Sequence, residues 1–186
     1  MLVPGTEMHW ATLGFVCLEL LVLFYLLLYR LSRPDDTAAL LNIVLLLLLI
    51  IYNISGGLLP DPNLPGSFFL QNSIAYATGF ITPCYFPYYV YKGFGLKKMH
   101  FHAYRGVYFF LVLPCIVFVI VFAITDDLKA AKNILIIPTL YALWVIYSLQ
   151  KAIRYKYNND LRGRQPKVEL VVLFLSLASW VGLPII

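Results

Sequence analysis

Charge is the scarcest resource in this chain. Only 12% of its 186 residues are Asp, Glu, Lys or Arg, against 61% apolar, and the mean hydropathy of +0.81 lies far above that of water-soluble domains. A water-soluble fold is therefore excluded. Histidine and cysteine are thin as well, at three each, with no CxxC pair and no Cys/His ligand spacing. Cys17, Cys84 and Cys115 all fall inside apolar stretches. Odd in number, they read as small buried hydrophobes with no disulfide or metal role. His100 and His102 form an H-x-H in a basic segment that is expected to be a loop, and His9 lies far from them, so a metal site lacks ligands. Walker, Rossmann and GxSG patterns are missing. No lysine falls at mid-membrane depth, which removes the attachment point of a retinal Schiff base. Within these residues the sequence therefore predicts no enzyme, no cofactor and no metal.

What the chain does have is long apolar runs, at about 10–29, 38–54, 68–91, 106–125, 133–150 and 168–186. A bilayer-spanning helix needs about 20 mostly apolar residues. The runs predict an all-α fold: a polytopic membrane protein, a single helical domain over residues 1–186 with a bundle of six transmembrane helices. The opening segment MLVPGTEMHW lacks the basic stretch of a cleavable signal peptide, so the first run is expected to be retained as a membrane helix. The breaks carry fitting local chemistry. Arg30, Arg33 and Pro34 close the first helix, and Asp36 or Thr37 is positioned to cap the second. Gly56, Gly57 and the segment from Leu59 to Ser67, with Pro60, Pro62 and Pro65, are expected to end the second helix. The polar stretch Lys151–Lys167 is expected to extend the fifth helix into water. Helices one to three share no motif with helices four to six, so an inverted repeat is not indicated.

Orientation follows from where lysine and arginine fall. The basic residues cluster between apolar runs, a pattern of membrane topology and not of nucleic-acid binding. One side of the predicted bundle collects Arg30, Arg33, Lys92, Lys97, Lys98, Arg105, Lys151, Arg154, Lys156, Arg162, Arg164 and Lys167, and the other has only Lys129 and Lys132. The positive-inside bias then puts the N-terminus outside and the basic loops in the cytoplasm. The basic clusters also suit anionic lipid headgroups, so membrane lipids are expected partners, although service only as topology anchors is the favoured explanation of the clusters. An apolar end at Leu183, Pro184, Ile185 and Ile186 suggests a truncated chain, six helices of a native seven.

Two features bear on chemistry. Glu19 lies near the midplane of the first helix, where an ionised carboxylate is costly and the neutral acid, able to donate a hydrogen bond, is favoured. A ligand-contacting or proton-linked group and a packing group hydrogen-bonded to a neighbour both fit it. The third helix is unusually polar, with Gln71, Asn72, Ser73, Tyr76 and Thr82, and should face protein or water. Pro83 and Pro87 are expected to bend it, and Pro114 and Pro138 to introduce similar kinks in the fourth and fifth helices, freeing carbonyls that can line a cavity. Asn42 and Asn53 are expected to hydrogen-bond between helices.

The segments NISGGLLPDP (53–62) and FITPCYFPYYVYKGF (80–94), with the short loops and the retained first helix, resemble the N-terminal multi-pass sensor modules of bacterial histidine-kinase-type receptors. The resemblance implies an inner-membrane sensory module. An acid at midplane depth together with a bent polar helix points to a small or lipophilic signal bound in a cavity lined by the first, third and sixth helices, with Glu19, Gln71, Asn72, Tyr76 and Thr82 as candidate contacts. The resemblance also implies a homodimer or a signalling partner, and a cytoplasmic kinase domain beyond a seventh helix. The alternative is a small proton-linked transporter or channel subunit using Glu19.

Overall fold

A computed structural model of the chain describes residues 2–157 together with Val168 and Val171. The expected sixth run, 168–186, and Pro184 with it, lie outside the described residues apart from those two valines. Among the described residues every regular element is helical, and the one β-type pairing is an isolated bridge between Leu2 and His9. The helices are α1 (Trp10–Ser32), α2 (Thr37–Leu58), α3 (Phe68–Gly93), α4 (Leu113–Thr125), α5 (Leu128–Lys132) and α6 (Ile136–Tyr157). Four helical runs are long and apolar enough to cross a membrane: Trp10–Ser32, Thr37–Leu58, Lys97–Thr125 and Leu128–Lys156. These four make the chain compatible with a membrane location. The other two expected crossings are not among them: α3 carries too much polar surface, and 168–186 is outside the described residues.

The chain divides into two compact units, one of Met1–Thr82 with Val119–Asp126, the other of Pro83–Phe118 with Asp127–Ile186. In the first unit, α1 and α2 are joined by a tight basic-acidic turn. Asp36 Oδ1 accepts from the backbone N–H groups of Ala38 and Ala39 at 2.9 and 3.1 Å, satisfying two of the orphan donors of α2. The Tyr29 hydroxyl donates to Asp36 Oδ2 at 3.1 Å, and Arg30 donates to the Asp36 carbonyl at 2.6 Å. Asp36, not Thr37, is thus the cap. Gly56 and Gly57 do not end α2; both lie within it. The helix stops instead just before Pro60, which has no N–H to donate. Gly57 serves closeness: a Cβ there would meet Met8 Cε at 3.0 Å and Thr12 Cγ2 at 3.2 Å.

In the second unit the helix before α4 begins far earlier than the hydropathy pattern predicts. It starts with a 3-10 turn at Lys97–Met99, directly after Gly95, whose φ of +62° supplies the left-handed turn out of α3. It then passes through two π-helical stretches, His102–Gly106 and Tyr108–Val112, before becoming α4. Pro114 lies just downstream of the second. It has no N–H for the Phe110 carbonyl and its ring crowds that group, and the wider π spacing accommodates both effects. Similarly, the 3-10 turn Asn133–Leu135 precedes Pro138 in the first turn of α6. Pro83 and Pro87 lie inside the continuous helix α3, where they leave the carbonyls of Gly79 and Pro83 without their helical donors. As the sequence indicates, α6 runs on through Lys151 to Tyr157.

Candidate functional site

In the first unit the polar side chains of three apolar helices meet in pairs. Asn53 Nδ2 on α2 donates to Glu19 Oε1 on α1 at 2.7 Å. The second carboxyl oxygen, Glu19 Oε2, is buried and has no hydrogen-bond partner among the described residues. Around it α1 is a plain apolar rod, with Phe15, Leu18 and Leu21 all about 60% or more exposed (62%, 59% and 67%). The acid therefore lies on the one stripe of α1 that α2 covers. An orphan oxygen in such surroundings is able to bind a proton or to accept a hydrogen bond from a ligand donor.

The polar face of α3 also turns to α2. Ser55 and Thr78 share a hydrogen bond at 2.5 Å, and Thr82 Oγ1 donates to the Leu48 carbonyl at 3.2 Å. Tyr52 packs where a Cβ on Gly79 would stand, 3.4 Å away. Of the candidates on α3, Thr82 is buried and Tyr76 half-buried. Gln71 is occupied by the proline-rich loop: its Oε1 accepts from the Asp61 backbone N–H at 2.7 Å, and its Nε2 donates to the Leu64 and Gly66 carbonyls at 3.1 and 3.4 Å. Asn72 Nδ2 donates to the Phe68 carbonyl one turn back, at 2.8 Å. Ser73 Oγ is buried without a partner among the described residues. The hydrogen bonds of Glu19 and Thr82 thus converge on α2 from two sides, while Gln71 and Asn72 hold the loop and first turn of α3.

The second unit contains a cluster that sequence reasoning missed. His102, expected in a basic loop, is 4% exposed and bonded at both ring nitrogens. Nδ1 meets the Tyr141 hydroxyl at 3.2 Å and Nε2 meets Ser148 Oγ at 3.0 Å. Trp144 stands edge-on to the imidazole at a centroid distance of 5.0 Å, and Phe110 stacks on Tyr141 at 5.0 Å and 12°. Tyr141 approaches Gly106 so closely that a side chain there would collide with its hydroxyl. Tyr141 and Ser148 are seven apart on α6, hence on one face. That spacing, opposite an imidazole in a helix, is the only signal the sequence offers for this cluster. Hydroxyls both donate and accept, so the arrangement satisfies either neutral tautomer.

Among the described residues no three of His, Cys, Asp and Glu come together as a metal site would need. The cysteines are free thiols. Comparison with known proteins brings nothing to the chain, for no family model, curated protein or solved structure matches it.

Proposed function

We propose that this chain is a multi-pass membrane sensory module in which the Glu19 carboxyl reads a small or lipophilic signal. The observation that carries the reading is the asymmetry of that carboxyl: one oxygen held by Asn53, the other buried and unpartnered among the described residues. A ligand donor entering beside α1 satisfies the second oxygen and changes how α1 sits on α2. In this reading α3 and the run at 168–186 cross the bilayer along with the four apolar runs, giving six crossings of a native seven. At 26 residues, α3 is about 39 Å long, enough to span. The N-terminus is outside the bacterial inner membrane and the basic segments are cytoplasmic. Support comes from the lopsided lysine and arginine distribution and from the second unit, where the Lys98 ammonium lies 3.5 Å from the Tyr155 ring centroid. Two basic segments far apart in sequence thus share one end of that unit. The signal passes to a homodimer mate or a signalling partner, and no catalysis is assigned to these residues.

The test is a thermal-shift screen of small lipophilic compounds against the purified protein in nanodiscs, repeated with Glu19→Gln. A compound that stabilises the parent and not the variant supports the reading. Hits that stabilise both equally count against it.

A second reading, a proton-linked transporter or channel subunit, rests on the same unpartnered oxygen, now as a proton carrier. Proton flux into liposomes under a pH gradient, abolished by Glu19→Gln, favours it; absence of flux removes it.

A further inference from the structure

Sensing through Glu19 asks for no catalysis, yet the second unit contains the parts of a nucleophilic centre. A serine attacks a carbonyl when a base beside it takes its proton, and the base works best when a third group fixes its ring and tautomer. Ser148 Oγ lies 3.0 Å from His102 Nε2, and the Tyr141 hydroxyl lies 3.2 Å from Nδ1. The same hydroxyl donates its proton to the His102 carbonyl at 3.4 Å. Of the two tautomers that the hydroxyls alone would satisfy, this third bond selects one. With its proton so placed, Tyr141 accepts from Nδ1–H, and the lone pair of Nε2 is left facing the Ser148 hydroxyl. Serine, imidazole and phenol thus stand in the order nucleophile, base and orienting group.

The surroundings hold that order. His102 is 4% exposed and opens a π-helical stretch, a rare winding that is frequent at functional sites. Gly106, in the same stretch, leaves the space that the Tyr141 hydroxyl fills, and Phe110 stacks on the Tyr141 ring. Ser148 is only half-buried, and Trp144 and Tyr147 just before it are exposed. The nucleophile is therefore open to a reactant while the base is shielded from water. Trp144 lies one turn before Ser148 on the same face of α6 and edge-on to the imidazole at 5.0 Å. Its indole N–H supplies a donor for a carbonyl oxygen that becomes negative. Lys151 follows Ser148 by three residues, about 4.5 Å along the helix, so the hydroxyl sits just inside the basic rim of α6. In a bilayer that is the boundary between hydrocarbon and headgroups, where the carboxylic esters of glycerolipids lie.

We propose that Ser148, with His102 as its base and Tyr141 as a positioning residue, is a nucleophile that cleaves carboxylic esters of membrane lipids. Ser148 Oγ bonds to the ester carbonyl carbon while its proton passes to His102 Nε2. The bond from that carbon to the alcohol oxygen then breaks, and the alcohol departs with the proton, leaving an acyl-serine. Water, giving its proton to the same nitrogen, adds to the acyl carbon and releases a carboxylic acid and the free serine. The choice of lipid rests on α6 crossing the bilayer. The centre itself is independent of Glu19, which belongs to the other unit.

The test is covalent labelling of the full chain in detergent with a fluorophosphonate, a reagent for activated serines, read by intact-mass and peptide mass spectrometry. One adduct, on Ser148, is expected on the folded chain and none on the chain denatured in SDS. His102→Gln is expected to slow labelling at least about tenfold, since a general base contributes about a hundredfold or more. Tyr141→Phe is expected to slow it about threefold or more. The double variant Tyr141→Phe, His102→Gln is expected to label as fast as His102→Gln alone, because the phenol acts through the imidazole; a slower double variant overturns the positioning role. No adduct on Ser148, or an adduct formed as fast by His102→Gln as by the parent, overturns the proposal. Should a variant not be monodisperse, the parent decides: equal labelling of the folded and denatured chains overturns the proposal, and labelling of the folded chain only supports it. A phospholipid with a fluorogenic acyl ester in nanodiscs, beside a water-soluble acetate ester, reads the substrate. Turnover of the lipid supports the assignment, turnover of the acetate alone overturns the lipid as substrate, and turnover of neither overturns the activity.

Discussion

Asn53 and Glu19 are 34 positions apart and joined by a 2.7 Å hydrogen bond between two otherwise apolar helices. A polar bond between membrane helices contributes about 0.6–2 kcal/mol, and leaving one partner alone in apolar surroundings adds to the loss. Asn53→Leu is therefore expected to destabilise the first unit by about 1–2 kcal/mol. Glu19→Leu with Asn53→Leu is expected to cost less than the sum of the two single changes, because no orphan remains. Unfolding in mixed micelles by increasing SDS measures all three. Strict additivity would show that the bond contributes nothing.

His102 is buried with both nitrogens engaged. Replacing it by Ala removes packed volume and strands the Tyr141 and Ser148 hydroxyls, a combined loss of about 2–4 kcal/mol. His102→Gln, which keeps one donor and one acceptor, is expected to lose less. Thermal midpoints of the two variants in the same detergent decide the matter, and equal midpoints would refute a hydrogen-bonding role.

The Gly106–Tyr141 contact leaves no room for a side chain. Gly106→Ala is expected to cost about 1–3 kcal/mol by overpacking. Removing the colliding hydroxyl through Tyr141→Phe is expected to recover part of that loss in the double variant. A double variant as unstable as the sum of its parts would place the strain elsewhere.

Asp36 supplies a pH dependence of known sign. The backbone N–H of Ala39, with the Tyr29 hydroxyl, the Ala38 N–H and Arg30 behind it, holds this carboxyl below its ordinary value of 3.8. Its stabilising contribution is present above the unfolded-state value and is lost as pH falls through the lower folded-state value. Asp36→Asn retains the cap but not the titration, so the parent and variant stability curves should converge below about pH 3.8. Curves that stay parallel through that range would contradict the assignment.

The topology has its own check. With the native cysteines replaced by Ala, Asn63→Cys is expected to react with an impermeant maleimide on intact cells, and Arg154→Cys only after permeabilisation. The opposite pattern would invert the orientation.

Helices α1 and α2 were legible because an unbroken apolar run of that length marks a helix long and apolar enough to cross a membrane, and Asp36 because an acid before an apolar run has one obvious task. Glu19 was legible as an anomaly, and Asn53 as an interhelical donor, but not that the two would meet; that depends on the register of α1 against α2, which close approach at Gly57 helps set. His102 was hidden by its neighbours. Lys97, Lys98 and Arg105 make the stretch look like a solvated loop, and they are indeed exposed, whereas the imidazole between them is buried against α6. The loop contacts of Gln71 and the backbone contact of Asn72 were not legible either, since an amide that pins a loop and one that lines a cavity have the same appearance in one dimension.

The three bonds made by Gln71 join Asp61, Leu64 and Gly66 to the start of α3. That loop and the first coil of the helix are consequently tied through a single side chain, and Gln71→Ala would release all three anchor points at once.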